Sequence, residues 1–211
     1  MTRVALGIYT SNYTTSVCVM SEDSFVFKKK ILTVRTGEKG VRQSEAVFQH
    51  VVNLQDIIKN AFAEARQLYG NDLQISAVGV SDKPRCVEGS YMPCFMSGVS
   101  SATAVASSIG CPLFRFSHQE GHIRAAILGS GMNSSLSHFY SFHLSGGTCE
   151  LLDVEQSCSR YKTTIIADSA DITLGQLIDR TGVMLGLNFP CGSELERLAS
   201  TQDDLPRVKI K

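Results

Sequence analysis

The chain has no tryptophan, and its 20 basic and 20 acidic residues cancel to a formal net charge of +0. Without an overall positive field, charge alone does not recruit nucleic acid. The one basic run, Lys28-Lys29-Lys30, reads as a solvated strand end. No apolar run approaches the roughly 20 residues of a membrane-spanning helix, so no membrane association is expected. The 7 cysteines (18, 86, 94, 111, 149, 158 and 191) include no Cys-x-x-Cys pair, and several sit in apolar runs as reduced core thiols do. The strand-like opening Met1-Thr2-Arg3-Val4-Ala5-Leu6-Gly7-Ile8 does not read as a signal peptide, and a reducing cytoplasm is the expected compartment. What is present is ordinary: 43% hydrophobic and 19% charged residues in a chain of 211, long enough for one large domain or two lobes.

Positions 3–9, 14–20 and 25–35 read as three strands, rich in Val, Ile, Phe and Thr. The first turn, Thr10-Ser11-Asn12-Tyr13-Thr14-Thr15, is crowded with hydroxyls. It is either a plain hairpin or an opening of the kind that holds nucleotide phosphates in the actin, Hsp70 and sugar-kinase group. Val47, Val51, Leu54, Ile58, Phe62, Ala65 and Leu68 recur at spacings of three and four, predicting an amphipathic helix over 43–69 that Gly70-Asn71 stops. A strand at 74–80 leads into an irregular stretch at 81–95, and loops of that length in compact domains often carry function. The Ala-, Ser- and Val-rich 97–109 suits a buried helix packed close to a sheet.

Cys111-Pro112-Leu113-Phe114-Arg115-Phe116 then alternates as a short strand and runs into Ser117-His118-Gln119-Glu120-Gly121-His122. Residues four apart share a helix face, with Cβ atoms about 5–6 Å apart. His118 and His122 therefore either share one zinc- or iron-type cation or merely decorate a helix end. A strand end meeting a helix start is where open α/β sheets place ligands. Of the other histidines, His138 and His143 fall five apart, on opposite faces of a predicted strand.

Past Gly129-Ser130-Gly131, positions 138–144 and 149–155 alternate as a hairpin about Ser145-Gly146-Gly147-Thr148, and 161–167 reads as a further strand. The paired glycines serve a turn, or let backbone amides approach a phosphate. A helix is predicted over 173–187, with Asp179 away from its apolar side, either solvated or aimed at a ligand hydroxyl. A short polar helix at 193–199 follows. The order strand, turn, strand, strand, helix repeats that of the opening and suggests two similar lobes. The tail at 202–211 reads as the first half of a strand, so the sequence is expected to be a fragment or a truncated form.

Together these pieces resemble the tRNA threonylcarbamoyladenosine transferase family (TsaD), long labelled a glycoprotease or O-sialoglycoprotein endopeptidase. The resemblance rests on Leu6-Gly7-Ile8-Tyr9-Thr10-Ser11, on Ser117-His118-Gln119-Glu120-Gly121-His122 and on Leu144-Ser145-Gly146-Gly147-Thr148. It continues through Gly175-Gln176-Leu177-Ile178-Asp179-Arg180 and Leu185-Gly186-Leu187-Asn188-Phe189-Pro190-Cys191-Gly192. It implies an α/β actin-like ATPase (ribonuclease-H-like) fold, with a complete first lobe at 1–130, part of a second at 131–211 and a ligand cleft between them. It implies a divalent metal, iron or zinc, on His118 and His122, and an adenylate or ATP-type nucleotide on Ser145, Gly146, Gly147, Thr148, Asp179 and Gly192. The activity implied is transfer of a threonylcarbamoyl group from its AMP anhydride to tRNA adenine. Implied partners are a second copy or a family paralogue, and tRNA.

The departures lie in the first turn and in the second lobe. The family pattern has Glu in the first strand and Asp-Glu in the turn; here stand Tyr9, Tyr13 and Thr14. Thr148-Cys149 follows Gly147 where the family usually has His, and Lys83-Pro84-Arg85 begins the stretch that replaces its Gly-Pro-Gly segment. The resemblance also places a further metal-binding Asp and an adenine-contacting Asn beyond Lys211. No residue is assigned a catalytic role. Three readings result: a metal-dependent transferase, a catalytically reduced paralogue serving as scaffold for a longer homologue, and a metalloprotease. The last is disfavoured because Glu120 does not directly follow His118, as the His-Glu-x-x-His order requires.

Overall fold

The computed structural model describes residues 1–35, 40–131, 136–158 and 160–201. The predicted half-strand at 202–211 lies outside these residues. The chain divides into two compact units, 1–134 and 135–211.

The first unit is a five-stranded sheet of order β3-β2-β1-β4-β5. Strands β1 (Thr2–Thr10), β2 (Thr14–Met20) and β3 (Phe25–Ile31) form an antiparallel meander. Strands β4 (Leu73–Lys83) and β5 (Leu113–Ser117) then add in parallel beside β1. This is the ribonuclease-H-like arrangement. Val4, Leu6 and Ile8 of β1 turn one face inward, and Val17, Val19, Val78 and Val80 extend it across the sheet. Helices α1 (Gln43–Tyr69) and α2 (Phe95–Ile109) cover that face. A Cβ at Gly98 would stand 2.8 Å from Thr10 Oγ1, so the first turn of α2 approaches β1 only because glycine is there.

Several predicted boundaries moved. Strand β3 stops at Ile31 rather than 35, because the chain peels toward α1, where the Gln49 side-chain amide takes both backbone groups of Thr33. Strand β4 runs on to Lys83, since β5 pairs with it through Lys83 opposite Ser117. Helix α2 begins at Phe95, two residues earlier than expected. The buried side of α1 is also rotated from the predicted stripe: Ala46, His50, Asn53, Leu54, Ile57, Ala61 and Ala65 face the sheet, while Val51 and Leu68 are exposed.

Helix α3 (His118–Ser130) packs on β4 and β5. Side chains alternate along a strand. Thr10 reaches α2 and its neighbour Tyr9 reaches α3, so α3 lies on the sheet face opposite α1 and α2.

The second unit is an antiparallel sheet of β6 (His138–Leu144), β7 (Cys149–Ser157) and β8 (Arg160–Asp168) in that order, followed by α4 (Leu174–Met184) and α5 (Gly192–Ala199). Leu152 and Val154 are its fully buried aliphatics. Helix α4 ends three residues short of the predicted 187. Gly186 takes φ +82° there, and Leu187 N–H closes on Gly182 carbonyl.

Candidate functional site

His118 is the first residue of α3, and the reason is local. The Ser117 hydroxyl accepts from Glu120 N–H at 3.1 Å, and the Glu120 carboxylate accepts from Ser117 N–H at 2.7 Å. This capping box satisfies two otherwise orphaned amides at the helix start. Glu120, 2% exposed, is thus a structural side chain of the N-terminal turn. That commitment further weakens the metalloprotease reading, which needs a carboxylate beside a metal-bound water.

His118 and His122, one turn apart, bring their ring centroids to 4.3 Å with planes at 88°. The Tyr9 hydroxyl hydrogen-bonds Nδ1 of His118, and the two rings stack at 5.3 Å with planes 30° apart. Phe95, at the start of α2, approaches the same imidazole at 6.1 Å. Burial raises the Tyr9 phenol pKa above its ordinary value, opposed in part by a hydrogen bond with the Ser11 side chain. Among the described residues no group of three or more His, Cys, Asp or Glu side chains is placed to hold a metal. Paired imidazoles with one ring nitrogen engaged by an outer hydroxyl suit a zinc- or iron-type ion as a partial donor set.

The hydroxyl-rich turn after β1 is held from α1 by polar residues that the sequence pattern did not single out. His50, fully buried, hydrogen-bonds Ser11 carbonyl through Nε2 at 2.8 Å and Thr15 Oγ1 through Nδ1 at 2.7 Å. Asn53 donates to the same Thr15 hydroxyl, and Gln43 donates to Asn12 Oδ1 at 2.6 Å. The available signal was polar residues at 50 and 53 on the inward side of an amphipathic helix. Of the departing residues, Tyr13 is exposed and Thr14 pairs with Ile31. The turn therefore presents no carboxylate. One carboxylate oxygen nearby is orphaned: Asp82 Oδ1, at the end of β4, is buried without a hydrogen-bond partner.

In the second unit the β6–β7 turn closes on itself. Ser145 Oγ accepts from Gly147 N–H at 3.1 Å and Thr148 N–H at 2.9 Å, and lies 2.7 Å from Thr148 Oγ1. The Gly147 and Thr148 amides are thus turned onto Ser145 Oγ. The turn in turn rests on the start of α4: Thr173 Oγ1 donates to Gly146 carbonyl at 2.9 Å, and Gly175 N–H to Ser145 carbonyl at 3.2 Å. Gly175 leaves no room for a side chain, since its Cβ would meet Gly146 and Ser145 backbone at 2.7 Å. Asp179 is half-buried, and its Oδ1 accepts from Cys191 N–H at 2.8 Å, just before Gly192 opens α5. The structure thus brings Ser145, Gly146, Gly147 and Thr148 together with the start of α4, and ties Asp179 to the segment carrying Gly192. Sequence reasoning missed Thr173 and Gly175; the Thr-x-Gly step at a helix start beside a double glycine was the signal.

Residues 24–211 match the family model described as tRNA N6-adenosine threonylcarbamoyltransferase. Among curated proteins, one of that name from Erythrobacter litoralis is 30% identical over 216 residues, covering 99% of this chain and 59% of its own length. A Streptococcus pneumoniae protein of the same name is 30% identical, covering 99% of this chain and 60% of its own length. This chain therefore spans about three-fifths of the relatives it matches. Among solved structures, YeaZ from Pseudomonas aeruginosa aligns with a TM-score of 0.50 at 10% identity, over 79% of this chain and 66% of that one. That likeness bears on the fold, which is actin-like.

Proposed function

The chain belongs to the tRNA N6-adenosine threonylcarbamoyltransferase family, and from that premise we propose that it takes part in metal-dependent transfer of a threonylcarbamoyl group from its adenylate to tRNA adenosine. His118 and His122 are the residues that hold the divalent ion, of iron or zinc type. When bound, such an ion supplies Lewis-acid polarisation of the carbamoyl carbonyl. The observation that carries the reading is the pair itself, two imidazoles one turn apart with centroids 4.3 Å from each other.

The second unit handles the nucleotide. Ser145, Gly146, Gly147 and Thr148 form the turn that takes the adenylate, and Asp179 and Gly192 contribute from the α4–α5 segment. One oxygen of Asp179 is held by Cys191 N–H, and its other oxygen is the one to accept from a ribose hydroxyl. In the transfer, the adenine amine nitrogen bonds to the carbamoyl carbon, the anhydride C–O bond breaks, and AMP leaves with the electron pair. The amine proton passes to solvent. The free thiols of all seven cysteines suit a reducing compartment, and we place the protein in the cytoplasm. No helix among the described residues is long and apolar enough to cross a membrane.

A second reading has its own support. The first turn lacks the carboxylates of the family pattern, and α1 exposes Phe48, Val51 and Val52 at 64%, 50% and 46%. A catalytically reduced paralogue that docks on a longer homologue, or on a second copy, would have both features. Metal analysis and adenylate binding by the wild type and His118→Ala separate the two. Metal and adenylate binding in the wild type, with metal lost in the variant, supports the transferase. A protein that binds neither and forms a stable complex with a longer homologue supports the scaffold.

A further inference from the structure

We propose that Tyr9 is a positioning residue for the metal pair: its hydroxyl holds His118 through Nδ1 and so assigns Nε2 as the nitrogen that binds the ion. This rests on the metal-binding reading of His118 and His122 and deepens it with a residue that reading does not include.

A neutral imidazole offers one N–H and one lone pair, on different nitrogens. Metal-bound histidines generally give the N–H to an outer acceptor, which fixes the tautomer and raises the basicity of the other nitrogen. Tyr9 Oη contacts Nδ1, and in the Nδ1–H tautomer that the proposal assigns to His118 it accepts that N–H, which leaves the Nε2 lone pair for the ion.

The contact is two-point. Besides the hydrogen bond, the phenol ring stacks along the imidazole, while Phe95 and the edge of His122 approach it as well. The backbone beneath is a strand rather than a loop: Ile8 pairs with Val80 in β4, and Lys83 of β4 pairs with Ser117. Sheet register thus sets where the Tyr9 hydroxyl meets the start of α3. The family pattern has Glu at this position, another oxygen acceptor. The Glu-to-Tyr departure removes a charge and keeps an acceptor for Nδ1–H.

The test uses Tyr9→Phe, which keeps the stack and removes the hydroxyl, and Tyr9→Glu, which restores an acceptor. Affinity for Co2+ and Zn2+ is measured by competition with a chelator, and the His118 tautomer in the metal-free protein by long-range 1H–15N correlation. The expected result is a loss of about 10- to 100-fold in metal affinity for Tyr9→Phe, recovery in Tyr9→Glu, and an Nδ1–H tautomer that weakens only in the Phe variant. Equal metal affinity in wild type and Tyr9→Phe, or an unchanged tautomer, overturns the proposal. So does an Fe3+–phenolate absorption band in the wild type that vanishes in Tyr9→Phe, because it places the phenol on the metal itself. If the wild type binds Co2+ no better than His118→Ala/His122→Ala, the metal reading fails, and the tautomer measurement still decides whether Tyr9 sets His118.

Discussion

Thr15 Oγ1 and His50 Nδ1 lie 2.7 Å apart in the interior of the first unit, both side chains fully buried. With Nε2 facing the Ser11 carbonyl, the imidazole donates there and accepts from Thr15, and neutral His50 satisfies both nitrogens. Burial lowers its pKa below the ordinary 6.5, with the Ser11 hydrogen bond acting the other way. The unfolded chain then binds the proton more readily than the folded one. Stability from this group is complete above pH 6.5 and falls as pH drops toward the depressed folded value. The slope is at most about 1.4 kcal/mol per pH unit. Denaturant titrations from pH 8 to 5 should show a shallower pH slope for His50→Gln than for the wild type; equal slopes would refute the assignment.

Ser117→Ala removes the acceptor of the capping box at the start of α3. The expected cost is about 0.5–2 kcal/mol of stability, measured by chemical denaturation. Because His118 is the first residue of that helix, fraying also weakens metal binding. Ser117→Thr retains the hydroxyl and should recover most of both. A helix start indifferent to the Ala change would mean that the capping box does not position His118.

Gly175→Ala forces a methyl into the Ser145–Gly146 backbone, which cannot retreat as a flexible side chain could. A stability loss of about 1–3 kcal/mol is expected from the overpacking. The nucleotide turn moves with it, so calorimetric titration with AMP should show weaker binding. Gly192→Ala, with open space around its α-carbon, serves as the contrasting substitution for stability. Equal stability losses at the two positions would contradict the packing argument.

Phe48→Glu places a charge in the exposed apolar row of α1. Away from the core the stability change should stay within about 0.5 kcal/mol. Association with a longer homologue, or with a second copy, should be lost in analytical ultracentrifugation if that row is the docking face. Unimpaired association would put the contact elsewhere.

The periodic parts of the chain were readable because burial imposes its own spacing. Alternation in β1, β2 and β6, and the three-to-four rhythm of α1, located those elements within a few residues. At two of the boundaries that moved, a specific side chain or partner strand intervened: Gln49 on Thr33, and Ser117 opposite Lys83. The rotation of α1 had a comparable cause. Its inward row carries His50 and Asn53, whose polarity disguises it, and they are inside because the first turn supplies their hydrogen bonds.

The sequence by itself determined the elements, their order, and the His118–His122 spacing that a helix converts into neighbouring rings. Local chemistry suffices there, since helix pitch and strand pleat act over a few residues. Only the tertiary structure decided that Tyr9 meets Nδ1 of His118, a contact spanning 109 residues of chain. It also decided that the Ser145 hydroxyl gathers the amides of its own turn against the start of α4. Such pairings depend on strand register and helix approach, which are set by the packing of the whole unit and leave no periodic trace in the residues that meet.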